Sequence, residues 1–140
     1  DPLVLINGDQ FLDCEEQMLI DYFVNENADA GTVTFNSVHP RWSYVKTDHN
    51  GFVCEAAEKR PISNNATAGF YYYKKSSDYI NCAKRLILKD NHLNGLFYIC
   101  PVFNEMVLDQ KDIVTYQIDA SKYHSFMSPE KVKQFEMSFK

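Results

Sequence analysis

The chain lacks the marks of several common protein classes, and each absence narrows what it can do. Acidic and basic residues are interspersed, with a net charge of −5 over 140 residues. There is therefore no basic stripe of the kind a nucleic-acid polymer requires, although a small basic pocket for one phosphate is not excluded. No apolar run approaches the roughly 18 residues of a membrane span, so neither a spanning helix nor a membrane partner is expected, and a cytoplasmic location follows. Cys14, Cys54, Cys82 and Cys100 form no CxxC pair, and no histidines stand at zinc-knuckle spacing. They read as buried free thiols in a reducing compartment. Nothing beside Cys100 in the sequence would lower its pKa, so it is not read as a nucleophile. His49, His92 and His124 have no Cys, Asp or Ser partner at a recognisable spacing, so no catalytic base is assigned to them. Repeats, low-complexity stretches and linkers are absent too, which leaves a single domain with enough apolar residues for a core.

What is present alternates between strand and helix patterns. Leu3–Asn7 reads as a strand, apolar from Leu3 to Ile6, and such a short apolar run is the mark of a strand buried on both faces as in parallel sheets. Asp13, with Glu16 three residues on, resembles a helix start, and Met18, Leu19, Tyr22 and Phe23 recur at helical spacing to about Asn25–Asn27. Thr32–Phe35 reads as a strand. Tyr44–Thr47 and Phe52–Ala56 flank Asn50-Gly51, a strong tight-turn signal, and form a hairpin. Thr67–Tyr73 is a strand rich in aromatics. Ser77 caps a helix over Asp78 to about Lys89, and Tyr98–Leu108 is a helix with Pro101 in its first turn. Ile113–Ile118 is a strand, and Ser128-Pro129 starts a last helix to about Met137. Strands and helices alternating around one hairpin give an α/β class with a mixed, mostly parallel sheet flanked by helices.

Two segments carry chemistry. Asp9 stands just past the carboxyl end of the first strand, where open α/β sheets bind ligands. Glu58-Lys59 precedes the aromatic strand and pairs a hydroxyl acceptor with a compact cation suited to phosphate. Together they point to a metal-dependent site for a sugar phosphate or sugar nucleotide. Gly69 is either a bulge or a place where something approaches the backbone closely. Trp42 and Tyr44 read as packing residues rather than as a platform for a base.

These segments together resemble a known family. Pro2-Leu3-Val4-Leu5-Ile6-Asn7-Gly8-Asp9-Gln10, His39-Pro40-Arg41-Trp42-Ser43-Tyr44, Asn50-Gly51, Ala57-Glu58-Lys59-Arg60-Pro61, Thr67-Ala68-Gly69-Phe70-Tyr71-Tyr72 and Asn94-Gly95 are similar, in this order, to the later part of sugar nucleotidyltransferases. The branch is the capsule-biosynthesis type, with a glycosyltransferase-A-like, Rossmann-like fold. The resemblance implies that Asp9 holds Mg2+ (or Mn2+) beside nucleotide phosphates. It also implies that Glu58 and Lys59 contact the sugar and its phosphate, and that Gly69 and Asn94 belong to the substrate site. Sugar 1-phosphate and nucleotide are the implied partners. The chain departs from the family in three ways. It has no Gly-rich, Arg- and Lys-bearing nucleotide loop, it has Leu96 where the family places a Glu, and Tyr123–Pro129 contains no late carboxylate.

Three functions follow. The first is transfer of a nucleotidyl group to a sugar 1-phosphate for polysaccharide biosynthesis, favoured because a free sugar phosphate needs Lys59. The second is a metal-dependent glycosyltransferase using a nucleotide sugar, and the third is a non-catalytic, degenerate domain. The chain is expected to be the C-terminal part of a longer protein. Alone it is expected to turn over no substrate, to bind no NTP at millimolar concentration and to self-associate through an open strand edge.

Overall fold

The computed structural model describes residues 1–89, 95, 98–126, 133, 136 and 137. Its centre is a six-stranded mixed sheet. The strands are β1 (Leu3–Ile6), β3 (Ala30–Asn36), β4 (Ser43–Thr47), β5 (Val53–Glu58), β6 (Asn65–Tyr73) and β7 (Ile113–Gln117), and a separate two-stranded ribbon joins β2 (Gln10–Leu12) to β8 (Tyr123–Ser125). Helices α1 (Glu16–Asn25), α2 (Ser76–Leu88) and α3 (Val102–Leu108) complete the described elements, with a 3-10 turn at Ala120–Lys122.

β6 organises the sheet. One of its edges pairs antiparallel with β3 along most of its length. The other edge pairs with β4 at Tyr44↔Ala66 and with β1 from Ile6↔Phe70 to Leu3↔Tyr73, both antiparallel. The β3–β7 pair is parallel and β4–β5 is an antiparallel hairpin. The α/β class with a mixed, helix-flanked sheet therefore holds, but the expectation of mostly parallel pairing does not. β1, β3 and β7 do run in one direction, and β6 is inserted between β1 and β3 in the opposite one. Apolar runs report that both faces are covered; they do not report the direction of the partner strand. β1 is not the strand buried on both faces that its apolar run predicts: it pairs with β6 alone among the described residues, Leu3 and Leu5 pack half-buried on one core and Val4 on the other, and Ile6 is exposed.

The period of two along β6 separates those cores. Tyr71 and Tyr73 join Leu86, Val102, Phe103 and Met106 under α2 and α3. Phe70 and Tyr72 join Leu19, Phe23, Val33 and Phe35 on the α1 side. The result is a helix–sheet–helix sandwich with two fillings. The Phe23 ring stacks on Tyr72 at 5.5 Å and 14°, and it can lie there because Gly31 has no side chain.

Helix boundaries differ from the sequence reading at their starts. α1 begins after Glu15, with no side-chain cap bond, while the Asp13 amide donates to the Lys122 carbonyl at 2.8 Å and so ties the loop to the 3-10 turn. α2 begins after Lys75 rather than at Ser77, again without a side-chain cap. α3 begins after Pro101, so residues 98–101 lead into the helix rather than forming it. Of the expected terminal helix from Ser128 to about Met137, the described residues Lys133, Glu136 and Met137 are helical; its other residues, and Asn94, lie outside the described residues. The outer edge of β5 is closed by the Asn104 side chain, which accepts from the Ala56 amide at 2.8 Å and donates to its carbonyl at 2.7 Å. α2 and α3 are clamped by Arg85 bidentate on Asp109 and by Lys89 on the buried Glu105 carboxylate at 2.8 Å. Cys82 and Cys100 are buried as expected, whereas Cys14 is only half-buried and Cys54, on the outer strand of the hairpin, is exposed. No helix among the described residues is long and apolar enough to cross a membrane.

A methyl group at Gly31 would overlap the Phe23 ring. Because Phe23 is fully buried between α1 and the sheet, it has no room to withdraw. Gly31→Ala is expected to destabilise the fold by about 1–3 kcal/mol, as overpacking does. Thermal unfolding of the two proteins checks this, and an unchanged midpoint would contradict the packing described.

Candidate functional site

The two neighbours on one edge of β6 leave a gap between them. β1 ends where the Asn7 amide donates to the Gly69 carbonyl at 2.9 Å, and β4 takes over at Ala66. The carboxyl end of β1 thus faces the start of β4 across Thr67–Gly69. This is a switch in strand pairing of the kind that opens a ligand crevice in α/β sheets. A cleft of about 450 Å3 occupies it, within the roughly 300–1,000 Å3 of small-molecule sites.

Asp9, Glu58 and Lys59 all line this cleft. Asp9 arrives from the turn after β1, exposed, with its carbonyl accepting from the Phe126 amide at 2.8 Å. Glu58 is the last residue of β5, opposite Ser43 in the hairpin register. The Ser43 hydroxyl donates to Glu58 Oε2. Partial burial pushes the Glu58 carboxyl above the usual range, while the Ser43 hydrogen bond and the Lys59 charge oppose that shift. Lys59 follows with φ +54° and donates its amide to the Trp42 carbonyl at 3.0 Å. A non-glycine residue held in the left-handed region beside a cleft is strained, and such strain gathers at functional sites. Its ammonium lies 5.4 Å from the Tyr98 ring centroid and 3.4 Å from the Tyr98 hydroxyl.

The floor is the Thr67–Tyr71 hydroxyl pair at 3.0 Å, where burial holds the Tyr71 phenol well above its usual pKa. Cys100 is buried beside Glu58, and desolvation raises its thiol far above the ordinary value, so it stays a protonated packing residue. One wall is aromatic: Tyr123 stacks on Phe35 at 4.7 Å, with Trp42 edge-on at 5.3 Å and the Arg41 guanidinium over Trp42 at 5.5 Å. Burial and the charge of Asp9 push the Tyr123 phenol up to about 12.

Gly69 does not line the cleft. It has φ +64° and sits in a bulge: Thr32 pairs with Tyr71 and Thr34 with Thr67, so Val33 alone faces Ala68-Gly69-Phe70. Its open side is filled by the protein itself, since an added methyl would overlap Gln10 Oε1 and lie 2.6 Å from Asn7 Nδ2. Of the two sequence readings of this glycine the bulge describes what is seen, and the close approach is made by Gln10 and Asn7. Tyr98, Tyr123 and Ser125 also line the cleft and were not singled out from sequence. A three-residue strand such as Tyr123–Ser125 leaves no periodic trace. Trp42 is both the packing residue expected and part of the cleft wall.

Among the described residues no cluster of three His, Cys, Asp or Glu side chains could hold a metal alone. The donor set suits Mg2+ all the same, because that ion is commonly held by one or two carboxylates and completed by water and substrate phosphates. Asp9 is an exposed carboxylate of the cleft that could serve as such a ligand.

Comparison with solved structures places this architecture. A nucleoside-diphosphate-sugar pyrophosphorylase from Vibrio cholerae RC9 superposes with a TM-score of 0.81 at 21% identity, over 96% of this chain and 55% of that one. The chain has a sugar nucleotidyltransferase-like fold. A protein assigned as a glucose-1-phosphate thymidylyltransferase from Bacillus anthracis, solved with sucrose, superposes with a TM-score of 0.72 at 18% identity, over 99% of this chain and 54% of that one. The chain thus spans about half the length of each. No family model and no curated protein matches the sequence.

The raised Glu58 pKa has a defined sign in stability. The folded chain holds this proton more tightly than the unfolded chain. The resulting stabilisation is complete below the ordinary carboxyl pKa of about 4.3 and is lost as the pH rises through the raised folded value. The parent protein is expected to lose stability relative to Glu58→Gln as the pH rises from about 4 through the raised folded value. Thermal unfolding of both across that range measures it; a difference independent of pH would mean that Glu58 is not desolvated.

Proposed function

We propose that the cleft binds a sugar 1-phosphate next to a nucleotide, and that this chain forms part of a unit that transfers a nucleotidyl group to that sugar phosphate. The observation that carries this reading is the convergence of Asp9 with Glu58 and Lys59, from distant parts of the sequence, on one cleft at the strand switch. The fold, shared with enzymes of nucleotide-sugar chemistry, supports it. In the reaction a phosphate oxygen of the sugar 1-phosphate bonds to the α-phosphorus of an NTP, and the bond from that phosphorus to pyrophosphate breaks. Such displacement depends on positioning and charge neutralisation and needs no protein nucleophile. That agrees with the buried, protonated Cys100 thiol.

Lys59 supplies the point charge for the sugar phosphate. Glu58, fixed by Ser43, accepts from sugar hydroxyls, and the aromatic wall of Trp42 and Tyr123 gives the ring an apolar surface. A divalent cation held at Asp9 would screen the phosphate charge. Lys59 favours nucleotidyl over glycosyl transfer, because a free phosphate monoester needs a dedicated cation. The product would be a nucleotide sugar, a building block for polysaccharide.

Titration of sugar 1-phosphates into the 140-residue chain by calorimetry tests the reading. Lys59→Ala is expected to lose about 1.5–3 kcal/mol of binding, the cost of removing a charged hydrogen-bond partner. Asp9→Asn is expected to abolish the strengthening of that binding by Mg2+. Equal affinities for parent and Lys59→Ala would overturn the phosphate role, and an unchanged Mg2+ effect in Asp9→Asn would overturn the metal role.

A further inference from the structure

Gln10 follows Asp9 directly, and its side chain is fully engaged. Its Nε2 donates to the Ala68 carbonyl at 2.7 Å and to the Gly69 carbonyl at 3.2 Å. Its Oε1 accepts from the Tyr123 hydroxyl at 3.1 Å. The amide lies against Gly69, in space that any larger residue there would fill. The bulge at Ala68–Phe70 turns these carbonyls out of the β3 ladder, and Gln10 uses them. The Asp9 turn is therefore held from three sides: by the Asn7 amide on the Gly69 carbonyl, by the Gln10 side chain on the bulge, and by the Phe126 amide on the Asp9 carbonyl.

We infer that Gln10 is a positioning residue for Asp9, coupling the Gly69 bulge and the Tyr123 hydroxyl to the orientation of the Asp9 carboxylate toward a divalent cation. Its action has two parts. The bonds to Ala68 and Gly69 fix the backbone from which Asp9 projects. The bond from the Tyr123 hydroxyl fixes the amide from the β8 side, so that the same side chain joins β6 to the ribbon beside Asp9. Groups that orient a metal ligand in this way typically govern metal affinity by 10–100-fold. The inference explains why a glycine stands at position 69 without assigning it a substrate contact. It rests on the metal role of Asp9, and the experiment separates the two.

Gln10→Met keeps the length and bulk of the side chain and removes all its hydrogen bonds. Two measurements on the 140-residue chain read its effect. The first is calorimetric binding of sugar 1-phosphate as a function of Mg2+, with Mn2+ binding followed by electron paramagnetic resonance. The expected result is a rise of about tenfold in the Mg2+ and Mn2+ concentrations at half-saturation, with metal-free sugar-phosphate affinity unchanged because Lys59 and Glu58 are untouched. The second is amide hydrogen exchange without ligand or metal, which is expected to quicken at residues 7–10 and not in β3 or β7. An unchanged half-saturation in Gln10→Met, alongside a lost metal effect in Asp9→Asn, would overturn this inference and leave the metal role standing. A lowered metal-free affinity, or exchange quickened throughout the sheet, would show a general structural role and overturn it equally. An unchanged metal effect in Asp9→Asn would instead remove the reading beneath it.

Discussion

β6 hydrogen-bonds along one edge to β3 and along the other first to β4 and then to β1. This double pairing is the constraint on which the rest of the molecule depends. A strand shared by three partners cannot follow all of them in one regular register, and the discrepancy is absorbed in the bulge at Ala68–Phe70 with Gly69 at φ +64°. From that irregularity come both the gap that becomes the cleft and the carbonyls to which the Asp9 turn is tied. The binding crevice and the anchor of its acidic residue are thus two outcomes of one geometric conflict.

Packing holds that conflict in place. Tyr71 and Tyr73 anchor β6 in the core under α2 and α3, while Phe70 and Tyr72 anchor it on the opposite side. With each face of the strand filled by fully or nearly fully buried aromatics, a slip of one residue would exchange the two sets and mismatch both cores. Register is thereby fixed strongly enough to carry a strained segment in the middle of the strand. The same logic applies at the hairpin, where the register that sets Ser43 opposite Glu58 also brings the carboxyl to the mouth of the cleft.

Much of this was legible in the amino-acid order. The apolar run at residues 3–6, the hairpin around Asn50-Gly51, the aromatic strand and the helix expected from Asp78 to about Lys89 were each visible, the helix start being misplaced by two residues, because burial imprints periodicity on segments longer than a turn. Strand direction was not legible, since a residue buried on both faces looks the same beside a parallel or an antiparallel neighbour. The β2–β8 ribbon was also invisible: three residues on each side carry too little pattern to register. Asp9, Glu58 and Lys59 could be chosen by chemical type and position, but their common cleft is a property of topology. Gly69 shows the limit most clearly. That a glycine there permits an unusual backbone or a close approach could be read; that the approaching group is the chain's own Gln10 could not.

The ribbon has a consequence for assembly. Its register joins Gln10 to Ser125 and Leu12 to Tyr123, contacts between opposite reaches of the sequence. Such distant pairings form late in folding, because the loop entropy of closing them is lost before any contact rewards it. On a chain emerging from the ribosome, β1 can find its place only after β6 is made, and the turn carrying Asp9 gains its last tie only when residues 123–126 arrive. The acidic wall of the cleft is therefore the last part of the described structure to be completed. A cut in the backbone between Ile118 and Tyr123 would free the tie at Phe126 while leaving the Asn7 and Gln10 bonds to β6, and the central sheet, in place.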